Sequence, residues 1–189
     1  MKPFLKYPGN KYRLVNQIKK YLPKDNNNRL IEPFLGSGAL FLNTNYKEYI
    51  LSDINIDLIN LYKTLQKEGY SFISYSSQLF VPENNTKEKY IEFRKQFNTT
   101  TNIREKSALF IYLNKHCFNG LSRFNSKGMF NTPFGTYNKP YFPANEMMFF
   151  YGKSKSAVFL CEDFEKVIGN VVDGDVVYCD APYIPISLT

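Results

Sequence analysis

Apolar positions recur at two different spacings along the chain. In residues 11–22, Leu14, Val15, Ile18 and Leu22 fall on one helical face and Pro23 ends the run, which predicts a helix. Residues 29–34 form a short apolar stretch that breaks at Gly36-Ser37-Gly38. This predicts a strand, a glycine loop and a helix that restarts over 39–42. Residues 49–52 predict a second strand ending at Asp53, after which Leu58, Ile59, Tyr62 and Leu65 resume helical spacing. Strand, glycine loop, helix, strand is the opening of a doubly wound α/β sheet.

Residues 87–115 predict two further helices. From 117 to 143 the texture changes to Phe, Tyr, Asn, Gly and Pro. Asn119-Gly120 is a turn signal, and 121–125 and 129–134 flank Ser126-Lys127-Gly128 as the arms of an inserted β-hairpin do. The chain then returns to strand over 157–161, helix near 164–168, and an apolar strand over 176–179 that ends at Asp180. Asn26, Asn27 and Asn28 read as a polar turn.

Composition narrows the class. The 189 residues are 43% hydrophobic and 17% aromatic, enough for one packed core and unlike a disordered chain. No apolar run reaches the roughly 20 residues of a spanning helix, and the first residues lack a signal peptide's apolar stretch, so a cytoplasmic, membrane-free protein is expected. Cys117, Cys161 and Cys179 have no metal-ligand or redox spacing and read as small core residues; no metal site is implied. The single histidine, His116, reads as a satisfied packed side chain, since no Gly-x-Ser-x-Gly turn accompanies it. A net charge of +7 points to a polyanionic partner, but only five of the 24 cations are arginine.

Three segments carry candidate chemistry. Glu32-Pro33-Phe34-Leu35-Gly36-Ser37-Gly38 lies where strand passes to helix, so a ligand can approach the backbone; it lacks the third glycine of a dinucleotide fingerprint and the Gly-Lys of a P-loop, and a plain tight turn is the alternative. Asp53, ending the second strand, suits a ribose diol; its alternative is a helix N-cap. Asp180-Ala181-Pro182-Tyr183 sits at the carboxyl end of an apolar strand, where open α/β sheets bind ligands, or is a strand-ending turn.

As a set, these residues resemble the Dam-type DNA adenine-N6 methyltransferases. Lys6-Tyr7-Pro8-Gly9-Asn10-Lys11 looks like the family's Lys-Trp-x-Gly-Gly-Lys element, Glu32 to Gly38 like its cofactor loop, Asp53-Ile54-Asn55 like its ribose-binding end, and Asp180 to Tyr183 like its Asp-Pro-Pro-Tyr. Asn119-Gly120-Leu121-x-Arg123-Phe124-Asn125, Pro133-Phe134-Gly135 and Lys139-Pro140-Tyr141-Phe142-Pro143 look like its target-recognition hairpin, and the order of blocks is kept from Phe4 to Ser187. The resemblance implies a Rossmann-like, S-adenosylmethionine-dependent methyltransferase sheet over 1–55 and 156–189, incomplete at its C-terminal side, with a helical and β-hairpin DNA-recognition lobe over 56–155. It implies methyl transfer to adenine N6 in double-stranded DNA, typically at GATC, with no metal. The cofactor contacts it implies are Tyr7, Lys11, Glu32, Pro33, Phe34, Gly36, Gly38, Asp53, Asp163 and Asp180. The catalytic set is Asp180, Ala181, Pro182 and Tyr183; the DNA contacts are Lys6, Phe118 as a wedge, Asn119, Leu121, Arg123 and Pro133.

Two departures stand against this likeness. Ala181 replaces the first proline of the catalytic motif, and only six residues follow Tyr183, where the family continues with further strands and helices. The alternative expectation is therefore a truncated or split form that binds DNA or cofactor without transferring a methyl group, with a missing C-terminal half or self-association through an open sheet edge.

Overall fold

The computed structural model describes residues 1–23 and 28–181. Asn26 and Asn27 of the expected turn, and Pro182 and Tyr183 of the expected catalytic motif, lie outside the described residues.

Four parallel strands, β1 (Arg29–Glu32), β2 (Glu48–Ser52), β3 (Ala157–Leu160) and β4 (Val176–Val177), form one sheet in the order β3-β2-β1-β4. Register is fixed by Ile31 opposite Ile50, Tyr49 opposite Ala157 and Ile31 opposite Val177. Leu30, Ile31 and Leu51 are buried, as strands covered by crossovers require. The chain leaves β1 for β2 and β3 on one side, then returns to lay β4 on the other. A crevice must open between the carboxyl ends of β1 and β4, where the order reverses.

The long return from β2 to β3 carries most of the helices. After a short α1 (Val15–Ile18) come α2 (Ile56–Glu68), α3 (Tyr70–Ser77), α4 (Lys87–Thr99), α5 (Ile103–His116), α6 (Ala144–Lys153) and α7 (Phe164–Ile168). Four starts are capped by side chains that satisfy otherwise orphaned N–H groups: Asn55 for α2, Thr86 for α4, Asn102 for α5 and Asp163 for α7. Helix α5 is buried from Ser107 to Asn114 on every face, the mark of a central helix. Around α2, the rings of Phe4, Tyr62, Phe150 and Phe159 interlock, with Tyr62 and Phe150 stacked at 4.8 Å and Phe4 edge-on to Phe150 at 5.3 Å. This cluster pins the N-terminal segment against the sheet.

Several expectations are corrected. The helix expected over 11–22 shrinks to a 3-10 turn (Tyr12–Leu14) and α1. Val15 is buried, Leu14 is exposed, and the turn after α1 is held by the Lys20 and Tyr21 N–H groups. The helix expected over 39–42 is one 3-10 turn, Phe41–Asn43. The hairpin keeps its reversal, with the Asn125 N–H on the Met129 carbonyl and the Asn131 N–H on the Arg123 carbonyl. However, only the isolated bridges Phe124–Phe130 and Cys117–Phe134 form, because side chains of Asn125 and Thr132 take the intervening backbone groups. Of the cysteines only Cys117 is a core residue; Cys161 is half-buried and Cys179 is exposed. His116 is packed, stacked on Tyr112 at 3.8 Å with Nδ1 2.8 Å from the Tyr112 carbonyl. No described helix is long and apolar enough to cross a membrane.

Candidate active site

A cavity of about 1020 Å³ opens at the carboxyl ends of β1 and β4. The glycine loop forms its floor. Backbone pairing continues past β1, with the Leu35 N–H on the Ser52 carbonyl at 2.8 Å, and then Gly36 turns at φ +49°, where a side chain is disfavoured. A Cβ there would also stand 3.3 Å from the Tyr7 ring, which lies over the loop. Both polar groups of Gly36 are tied: its N–H donates to Asp53 Oδ2 at 3.0 Å, and its carbonyl accepts from the Tyr62 hydroxyl at 2.7 Å. Gly38 closes the turn through its N–H on the Leu35 carbonyl, one step back from the residues that line the cavity.

Asp53 is not the N-cap of α2; Asn55 is, because its side chain reaches both Asp57 and Leu58 N–H groups. Asp53 instead takes the Asn55 N–H on Oδ1 at 2.9 Å and the Gly36 N–H on Oδ2, so one carboxylate braces two loops and faces the cavity between them. Burial raises its pKa, opposed by those two N–H groups. The Tyr7 hydroxyl is raised by burial and by Asp53 nearby, and so stays protonated and able to donate.

Glu32, the last residue of β1, is 2% exposed, and its Oε1 has no hydrogen-bond partner among the described residues. Burial, reinforced by Asp180 across the β1/β4 crevice, pushes its carboxyl up to about 8, against the Phe41 N–H. Lys11 reaches over the cavity mouth to Asp180, Nζ to Oδ1 2.8 Å, and also donates to the Gly9 carbonyl at 3.1 Å. Ala181 follows on the same rim. Opposite, Phe34 and Phe164 meet at 5.3 Å, and Asp163 caps α7 through the Glu165 N–H while lining the wall. Pro33 completes the loop side. Tyr7, Lys11, Glu32, Pro33, Phe34, Gly36, Asp53, Asp163, Asp180 and Ala181 thus converge on one cavity. Among the described residues, no group of His, Cys, Asp or Glu side chains is placed to hold a metal.

The loop after α5 lies beside this mouth. Its path is fixed by Asn119 at φ +53° and Gly120 at φ +67°, and Gly120 is closed over by Lys6, since a Cβ would fall 2.2 Å from Lys6 Cδ. Phe118, Asn119, Leu121, Arg123 and Pro133 are all exposed. The Phe118 N–H donates to the Pro133 carbonyl and Arg123 Nε to Asn131 Oδ1, both at 2.9 Å, so the exposed set shares one brace. Sequence reading missed the capping role of Asn55 and the places of Tyr62 and Phe164 at the site. Asn55 was detectable as an amide just ahead of an apolar helical run; the other two show themselves only in contacts.

A family model for D12 class N6 adenine-specific DNA methyltransferases matches residues 7–189. The chain belongs to this family. Its relatives include DNA adenine methylases of Vibrio cholerae, 47% identical over 98% of this chain and 66% of theirs, of Serratia marcescens, 47% over 98% and 68%, and of Escherichia coli K12, 46% over 98% and 66%. The chain therefore spans about two thirds of the length of the curated relatives it matches. The α/β architecture is that of the family, with an incomplete sheet.

Proposed function

We propose that the chain is a site-specific DNA adenine-N6 methyltransferase acting with S-adenosylmethionine on GATC duplexes, through a flipped adenine. The observation that carries this reading is the convergence of the Gly36 loop, Asp53 and Asp180 on one cavity at the point where the strand order reverses, beside the exposed loop of Phe118 to Arg123.

The residues present fit the cofactor. The cavity reaches the upper range for a ligand pocket. Asp53 keeps acceptor capacity beyond its two N–H partners and suits a ribose diol. The unpartnered Glu32 oxygen suits the cationic amino end, and Lys11 the carboxylate. Bound, S-adenosylmethionine supplies a methyl group already activated as a sulfonium. The exocyclic amine of adenine is a weak nucleophile because its lone pair is delocalised into the ring. In this reading the Asp180 carboxylate and the Ala181 carbonyl accept its two hydrogens, favour a pyramidal nitrogen and stabilise the positive charge that develops there. The resemblance gives Tyr183, which lies outside the described residues, the role of stacking on the base. Unstacking costs a few kcal/mol, which Phe118 at the vacated position and the pocket contacts offset. Arg123 presents the fork that reads guanine O6 and N7, with Lys6, Asn119, Leu121 and Pro133 around it.

Ala181 in place of proline favours a second reading, a chain that binds DNA or cofactor without transfer. One assay separates the two: N6-methyladenine formation on a GATC duplex and a scrambled duplex, with an Asp180→Ala control. Methylation confined to GATC and lost in the control supports the enzyme. Binding without product supports the second reading, and neither binding nor product refutes both.

A further inference from the structure

A second cavity, about 510 Å³, lies between the N-terminal segment, the end of α5 and the loop over 137–141. It shares Tyr7 and Asn10 with the first cavity and has Asn119 of the exposed loop on its wall. Four cations line it, Lys2, Lys6, Lys115 and Lys139, against one acid, Glu146, which already accepts from the Tyr141 hydroxyl at 3.0 Å. Lys6 is held with its ammonium 4.8 Å over the Tyr137 ring. Lys115, in the last turn of α5, is only half-exposed between these elements.

That arrangement is costly in a protein without a ligand. An ammonium drawn out of water beside other ammoniums is disfavoured unless an anion joins it. Burial and the neighbouring Lys6 and Lys2, opposed by Glu146, push the Lys115 ammonium down to about 8. A cavity of this charge, with a wall in common with the site that takes the target base, faces the groups that accompany every base in a strand.

We propose that this second cavity is a phosphate subsite for the DNA backbone, in which Lys115 and the flanking ammoniums of Lys2, Lys6 and Lys139 receive a phosphodiester. The proposal rests on the reading that the chain binds duplex DNA. Its consequence is a pH dependence of binding with a definite sign. Free, Lys115 loses its proton near pH 8; with a phosphate beside it the ammonium is favoured, and its pKa moves back toward the ordinary 10.5. Between those values the complex holds more protons than its parts, so affinity falls as pH rises through that window and is flat below it. The flanking Lys2, Lys6 and Lys139 are the other cations at the cavity, and Tyr137, Tyr141 and Glu146 its remaining titratable groups.

The test is fluorescence anisotropy of a GATC duplex and a scrambled duplex from about pH 7 to about pH 10, at several salt concentrations. The wild-type chain is expected to lose affinity for both duplexes above about pH 8, by up to about tenfold per pH unit. Lys115→Arg, charged throughout, is expected to bind without that alkaline loss. Lys115→Met is expected to bind more weakly at pH 7, with no alkaline loss and a salt slope smaller by about one. Lys139→Met, at an exposed position, is expected to lower the slope while keeping the alkaline loss, and thermal melting of each variant checks its fold. A neutral methylphosphonate at each linkage in turn locates the phosphate, as the one whose loss costs the wild type but not Lys115→Met. Unchanged slope and pH profile in Lys115→Met overturn the phosphate subsite and leave the DNA reading standing. Failure of the wild type to bind either duplex overturns both.

Discussion

At the scale of single residues, two positions carry predictions, a buried acid and an alanine in a motif where the resembled family has proline. Glu32 is a carboxyl driven out of water with one oxygen unpartnered among the described residues. Its pKa lies at about 8 in the folded chain against 4.5 ordinarily, so the folded state holds the extra proton between those values and loses stability as pH rises through them. Its contribution is fully favourable below the lower value and lost above the higher, a swing on the order of a few kcal/mol. Glu32→Gln, which cannot ionise, is therefore expected to melt several degrees above the wild type at about pH 9, with the gap closing toward about pH 5. Melting curves across that range decide it, and a gap independent of pH would show that Glu32 is not buried as a neutral acid. Ala181 is the second position. Proline there restricts the residue before it to extended conformations, and that residue is Asp180. If adenine is the substrate, Ala181→Pro is expected to raise turnover, tenfold for each ~1.4 kcal/mol of positioning regained. Unchanged single-turnover rates on a GATC duplex would refute this.

At the scale of elements, the junction between the N-terminal segment and the loop after α5 is set by one glycine. Gly120 is left-handed, and Lys6 occupies the space where its Cβ would stand; both backbone groups of Lys6 are in turn held by the Asn114 side chain, with Lys6 N–H to Oδ1 3.0 Å and Nδ2 to the Lys6 carbonyl 2.6 Å. Gly120→Ala combines a strained φ with a clash against that anchored stem, and is expected to destabilise the chain by about 1–3 kcal/mol. Thermal melting reads the loss, and a variant as stable as the wild type would mean that the loop moves freely past Lys6. The element scale also shows where sequence was and was not informative. β1, β2, β3 and α2 were legible because each kept a single apolar spacing, with a glycine loop closing β1 and a capping-type residue, Asn55, opening α2. α3 and α6 were not, since Tyr70–Ser77 mixes aromatics with serine and Ala144–Lys153 packs five large apolar residues together, and neither pattern distinguishes helix from strand. The cofactor-loop residues could be read because backbone geometry dictates their type. The burial of Lys115 and the lone oxygen of Glu32 could not, since both depend on which distant segments close over them.

At the scale of the whole molecule, eight residues of chain link the two cavities. Phe4 and Leu5 are locked in the core, Lys6 enters the cationic cavity, Tyr7 lines both cavities and covers Gly36, and Lys11 reaches Asp180. Whatever orders this segment from one side orders it for the other, because its ends are held in packed structure and its middle is shared. Under the proposed function this predicts coupling between cofactor and duplex: each should tighten the other by the same factor, since linkage between two binding equilibria is reciprocal. The expected effect is at least several-fold, measured as the dissociation constant of a GATC duplex with and without saturating S-adenosylhomocysteine, and of S-adenosylhomocysteine with and without duplex. Tyr7→Ala removes the larger of the two shared side chains and is expected to bring both ratios toward one, whereas Lys139→Met, which touches only the second cavity, is expected to weaken duplex binding and leave the ratios unchanged. Electrostatic attraction from the net charge of +7 acts on both states alike and cannot produce a ratio. Ratios of one in the wild type would mean that the two cavities work as separate sites despite their common wall.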